Sequence, residues 1–122
     1  MSAGSQGIDK LEVRILSDIV ARQQTWPRMA AKWGVENPVP PWKTSLDGMC
    51  DALDRAACER GDVPDFKQRR DEEDLLSERV YTDLPYPENQ LVALAHSLVV
   101  RGIIDEAELT QRLEAVRRRL EA

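Results

Sequence analysis

The chain has 122 residues, about the length of one domain. Its net charge is −5, and an acidic balance excludes sequence-independent nucleic-acid binding, which needs a basic surface. Hydrophobic residues make up 42% and charged residues 32%, which excludes a disordered chain and predicts a packed core under a charged surface.

Few aromatics and short β-branched runs weigh against a sheet. No stretch approaches the about 20 apolar residues of a membrane span. Residues 1–7 lack the apolar core of a signal peptide and read as a loose tail, so a cytoplasmic location is expected.

The first predicted helix runs from Asp9 to Gln24. Ile8, Leu11, Ile15 and Ile19 recur at helical spacing, and Leu16 and Val20 widen the stripe. Trp26-Pro27 breaks the chain, and Pro27 suits the first position of a short helix, Arg28 to Trp33, that Gly34 ends. Glu36 to Pro41 holds three prolines and reads as an extended connector. Residues 1–40 therefore form an expected tail and helical arm, with Leu11, Ile15 and Ile19 as the face that wraps a neighbour. Residues 41–122 form the expected main domain.

A second long helix is predicted from Ser45 to Arg60, with Leu46, Met49, Cys50, Leu53 and Ala57 on one side and Gly61 as its stop. Asp62 is the expected cap of a third, Pro64 to Arg79, whose core residues are Phe66, Leu75, Leu76 and Val80. Its charged run, Lys67 to Asp74, predicts a solvated face with Arg69–Glu73 and Arg70–Asp74 ion pairs. Leu84-Pro85-Tyr86-Pro87 reads as a rigid turn. The next helix, Pro87 to Arg101, presents Leu91, Leu94, Ala95, Leu98 and Val99, with His96 beside that stripe as a structural residue. Gly102 ends it.

The last helix has the clearest start, with Asp105 as N-cap and Glu108 three residues on. Leu109, Leu113, Val116 and Leu120 form its stripe. Arg117-Arg118-Arg119 sits in its last turn, where cations complement the helix dipole. The fold expected is all-α, a small domain of about five helices with an N-terminal helical arm and a capped helical hairpin at its end.

Chemistry-bearing motifs are sparse. Cys50 and Cys58, eight residues apart on one helix, lie roughly 12 Å apart along its axis. That is too far for a disulfide, and the thiols read as buried small apolar residues. His96 is the only histidine, so no metal-ligand set is expected on this chain. A histidine-based triad would have to use His96, and no Gly-rich phosphate loop is present.

Leu84-Pro85-Tyr86, then Glu88, then a helix ending Val99-Val100-Arg101-Gly102-Ile103-Ile104, then Asp105-Glu106-Ala107-Glu108-Leu109, resembles the N-terminal helical region of nitrile hydratase β subunits. That family has a Pro-Tyr-Tyr turn, a Lys-Gly-Ile-like corner and a following Glu-Leu helix. Pro41-Trp42 before the Leu46 to Cys58 helix resembles the family's acidic-Trp segment and first core helix. The resemblance runs from Pro41 to Leu120, about two thirds of the chain. Two departures stand out: Pro87 takes the place of the family's second Tyr, and the family's β-barrel domain has no counterpart here. In that respect the chain is similar to the small subunit of thiocyanate hydrolase and of other three-subunit hydratases. It also resembles the activator (metallochaperone) proteins of nitrile hydratases.

The resemblance implies a non-catalytic β-type subunit that covers the active-site cleft of a metal-binding α-type subunit, with a separate β-barrel subunit as a further partner. The alternative it implies is an activator that binds the catalytic subunit during metal loading. Cobalt or iron would be held by the partner on oxidised cysteines, and this chain would supply an arginine to them. The position falls on Arg69, Arg70 or Lys67. A guanidinium's planar fork favours an arginine, with Arg69 ahead of Arg70 and Lys67 last. Trp42 and Tyr86 are the implied interface residues besides the arm.

Overall fold

The computed structural model describes residues 7–121. The expected loose tail lies outside these except for Gly7. Among the described residues there are six α-helices, one 3-10 turn and no strand, so the all-α expectation holds. The helices are α1 (Arg14–Ala21), α2 (Trp26–Trp33), α3 (Lys43–Glu59), α4 (Phe66–Arg79), α5 (Glu88–Val100) and α6 (Glu106–Glu121). Among the described residues no helix is long and apolar enough to cross a membrane.

Helix α5 organises the packing. It is apolar over most of its circumference, the pattern of a helix buried on several sides. Ala93 joins one cluster, with Ile8, Val13, Leu16, Leu76 and Tyr81. Leu94 and Leu98 join a second with Leu46, against which Trp42, Cys50, Leu53, Ile103 and Ile104 pack. Helices α1 and α4 thus cover one side of α5, and α3 and the α5–α6 corner cover the other.

The predicted first helix is broken. Ile8–Lys10 is a 3-10 turn, Leu11 and Val13 have extended backbone, and α1 starts only at Arg14. Two buried contacts explain the break. Ile8 and Val13 both turn into the core, which a straight helix would not allow for residues five apart. The Ile8 carbonyl also accepts from His96 Nε2 at 3.0 Å, whereas in a helix it would be committed to the amide of Glu12. The arm expected from sequence is therefore built into the core through Ile8, Val13 and Leu16. Of the face assigned to a neighbour, Leu11 is exposed, Ile15 packs against the core and Ile19 is half-buried.

Helix ends follow local chemistry with one correction. Gly34 (φ 70°) and Gly102 (φ 75°) occupy the left-handed region that glycine enters without steric cost. Asp105 Oδ2 accepts from the Glu108 amide at 2.9 Å, as expected for an N-cap. The cap of α4 is Asp65 and not Asp62. Asp65 Oδ1 accepts from the Gln68 amide, and Gln68 Oε1 accepts from the Asp65 amide, a reciprocal capping box. Asp62 is paired instead with Arg60.

Several residues of the predicted stripes face outward. Met49, Phe66, Val80, Val116 and Leu120 are exposed. Helix α6 has no fully buried residue, and Leu109 and Leu113 are its half-buried contacts. Its first turn is tied to α1, because Glu106 Oε2 accepts from the Arg14 amide at 3.1 Å.

Two buried polar residues of the core, His96 and Glu72, are paired. His96 is wholly buried. A carbonyl only accepts, so Nε2 carries the proton toward Ile8, and Nδ1 accepts from the Tyr81 hydroxyl at 2.7 Å. Burial lowers the His96 pKa from its ordinary value and keeps the ring neutral. Glu72, 1% exposed, receives both terminal nitrogens of Arg101, one of them at 2.6 Å. This fork ties α4 to the end of α5.

Two stability predictions follow from these pairs. Arg101→Met removes the guanidinium opposite a buried carboxylate, and the unfolding free energy in urea falls by about 3–5 kcal/mol. The Glu72→Met/Arg101→Met double variant recovers part of that loss, and a single variant as stable as wild type would show that the pair contributes nothing. For His96, the unfolded chain takes up a proton near pH 6.5 while the folded ring resists it. The contribution is complete above about pH 6.5 and declines as pH falls toward the lowered folded-state pKa. Urea midpoints of wild type drop between neutral pH and mildly acidic pH, whereas His96→Gln shows a smaller slope there.

Candidate functional site

Three helices each contribute one face to a groove of about 370 Å³. Asp47, Cys50, Asp51 and Asp54 come from α3, at the spacing of one helical face. Phe66, Arg69, Arg70 and Glu73 come from α4 at the same spacing. Tyr86 closes one end, and Gln90, Leu94 and Ser97 of α5 form the floor. The capping box at Asp65 sets where α4 begins, and so which of its residues face α3.

The two arginines of the groove are held differently. Arg69 donates from Nη2 to Asp54 Oδ1 at 2.6 Å and from Nη1 to the Pro64 carbonyl at 3.1 Å. Its side chain is only 10% exposed. The expected Arg69–Glu73 pair is thus replaced by a pair across the groove, because Asp54 of α3 stands opposite. Arg70 is 65% exposed and makes the expected pair with Asp74, at 3.6 Å. Lys67 does not line the groove; it pairs with Asp71 in solvent.

The other polar groups are tied to one another. Lys43 pairs with Asp47, reaches Gln90 Oε1 at 3.3 Å and lies 5.3 Å from the Tyr86 ring centroid. Its hydrogen bond to Asp47, then that to Tyr86, raises the ammonium pKa. Burial raises the Glu73 carboxyl pKa. Burial also raises that of the Cys50 thiol, against the nearby Arg69 charge, so Cys50 stays protonated and is a weak nucleophile. Cys58 is exposed, contrary to the buried reading, and both thiols are free.

Tyr86 is exposed, so its ring lies open at the groove mouth, and Phe66 is also exposed. Trp42 is not in this groove. It begins α3, packs against the Leu46 cluster and lines a second cavity. Of the residues assigned to function from sequence, the structure therefore brings Arg69, Arg70 and Tyr86 together and leaves Lys67, Trp42, Leu11, Ile15 and Ile19 elsewhere. Sequence reasoning missed the acidic wall, Asp47, Asp51 and Asp54. Its signal was the recurrence of Asp at three- and four-residue intervals on a predicted helix.

The groove holds charged donors and acceptors with an exposed aromatic rim. His96, the sole histidine, is outside it and fully engaged in the core. Among the described residues no group of three His, Cys, Asp or Glu side chains is placed to hold a metal ion. Comparison of the chain with protein-family models, curated proteins and solved structures returns no match.

The two arginines differ in what a substitution does to folding. Arg69→Lys loses the fork shared between Asp54 and the Pro64 carbonyl and lowers stability by about 1 kcal/mol or more. Arg70→Lys changes it by less than about 0.5 kcal/mol, as expected at an exposed site. Chemical denaturation of both variants beside wild type checks this, and equal losses would contradict the assignment.

Proposed function

We propose that this chain is a non-catalytic β-type subunit of a nitrile hydratase- or thiocyanate hydrolase-like complex. Its groove face would cover the metal cleft of a catalytic α-type subunit. The observation that carries the reading is the convergence of Arg69, Arg70 and Tyr86, all three picked out by the resemblance, on one groove. Exposed aromatics beside an arginine are also the composition of protein interfaces.

Within that reading the geometry changes the order of the arginines. Arg69 is anchored to Asp54 and Pro64 and holds the α3–α4 junction. Arg70 is the exposed guanidinium, and its side chain is long enough to reach across an interface to a sulfenate or sulfinate oxygen. The cobalt or iron, and the attack of metal-activated water on the nitrile, belong to the partner.

Co-expression with a nitrile hydratase-type catalytic subunit from the same genome, with the tag on this chain, tests the proposal. A stable, metal-containing complex that hydrates nitriles is expected. Arg70→Lys keeps the complex and lowers kcat by about tenfold or more, the loss expected when an arginine fork is removed. A catalytic subunit that assembles and turns over equally well without this chain rejects the subunit reading. Transient binding, with metal held by this chain alone, replaces it with the activator reading.

A further inference from the structure

Helix α6 carries an apolar stripe that its own chain covers only in part. Leu109, Leu113, Val116 and Leu120 recur at intervals of four, three and four residues, which keeps them on one face. Leu109 and Leu113 are half-buried. Beyond them the helix runs clear of the body. Every residue from 114 to 121 is exposed, with Val116 at 40% and Leu120 at 76%. These last two turns add about 12 Å of helix past the last packed residue. Most of a helix's stability in a protein comes from its packed face, so an uncovered end is the part that gains most from a partner.

The charges beside the stripe are of one sign. In the repeat that the spacing defines, Arg112 and Arg119 flank one edge and Arg117 flanks the other. Glu108, Glu114 and Glu121 lie farther round the helix. Arg118 alone of the three-arginine run faces away from the stripe. Arg112 pairs with Glu108 and Arg117 with Glu121, but all four side chains are more than half exposed. Such pairs contribute little, so the guanidinium groups are free to turn to the edge of the stripe. A second copy of this helix is a poor match, because arginine meets arginine across the seam in either helix direction. A lipid surface is a poor match too. The stripe has no aromatic anchor, and the chain's net charge of −5 opposes approach to anionic headgroups.

We propose that the exposed end of α6 docks an amphipathic helix of a partner protein whose apolar seam is flanked by Asp and Glu. Val116 and Leu120 pack between the apolar residues of that seam. Arg112, Arg117 and Arg119 pair with the flanking carboxylates, which sets the choice of partner by charge complementarity. The partner helix continues the cover that the body of the chain begins at Leu109 and Leu113. No groove residue takes part, so failure of this inference leaves the subunit proposal as it was.

Two synthetic three-heptad peptides are the probes. Both have Leu along the seam, and the flanking positions are all Glu in one and all Lys in the other, which keeps each from pairing with itself. Each is titrated at low salt into the full chain while backbone amide signals are followed by NMR. The Glu peptide should shift the signals of residues 113–121 and bind about tenfold or more tightly than the Lys peptide. The triple variant Arg112→Glu/Arg117→Glu/Arg119→Glu should reverse that preference, and Leu120→Ser should weaken binding of the Glu peptide. All four positions are exposed, so the packed body is left intact. Equal affinity of wild type for the two peptides overturns the proposal, as does an absence of shifts at millimolar Glu peptide. Self-association of the chain alone through α6 overturns it in favour of a second copy. Binding to phosphatidylglycerol vesicles that the triple variant loses overturns it in favour of a membrane surface. Should the triple variant unwind α6, the two peptides on wild type decide alone.

Discussion

A helix that is apolar on most sides has to be covered on most sides, and α5 imposes that condition on the whole chain. Its Ala93 side needs α1, α4 and the turn at Ile8, and its Leu94–Leu98 side needs α3 and the Ile103–Ile104 corner. No two helices alone could satisfy it. The buried polar groups act at the seams of this arrangement. His96 joins α5 to the Ile8 turn and to Tyr81, and the Glu72–Arg101 fork joins α4 to the end of α5. Apolar burial supplies the larger favourable energy, but it is non-directional. The directional pairs fix which covering of α5 is adopted.

The two cavities are consequences of that covering. Where α3 and α4 lean against α5 with charged faces, they leave a groove that Arg69 and Asp54 bridge from opposite walls. Where α1 and α2 meet α5 with apolar faces, they leave a space that is mostly hydrophobic but for Glu88 and the polar Gln23, Gln24 and Thr25. The difference comes from residue type at equivalent helical positions, since both spaces are bounded by α5.

Helices α2, α3, α5 and α6 were legible in the sequence because their signals are local. Apolar spacing, Gly34 and Gly102 as stops, and Asp105 with Glu108 act within a turn or two of the residues they govern. The misplaced cap of α4 was legible too. Asp65 with Gln68 has the same spacing as Asp105 with Glu108, and it competed with Asp62, which stands two residues before Pro64. Which way a marginal stripe turns was less so. Phe66 and Val80 lie at the ends of α4, where neighbouring elements no longer reach to cover them.

The sequence by itself determined the fold class, most helix ends and the presence of an arginine-rich face on α4, because these depend on neighbours a few positions apart. Only the tertiary structure decided the rest. It broke the first helix so that the Ile8 carbonyl could meet His96, 88 positions away. It turned Arg69 from Glu73 to Asp54 on another helix, leaving Arg70 as the exposed guanidinium. It placed Glu88 under Trp26, with one oxygen unmatched among the described residues. Each outcome pairs groups far apart in the chain, and such pairings are selected by the packing of whole helices rather than by local preference.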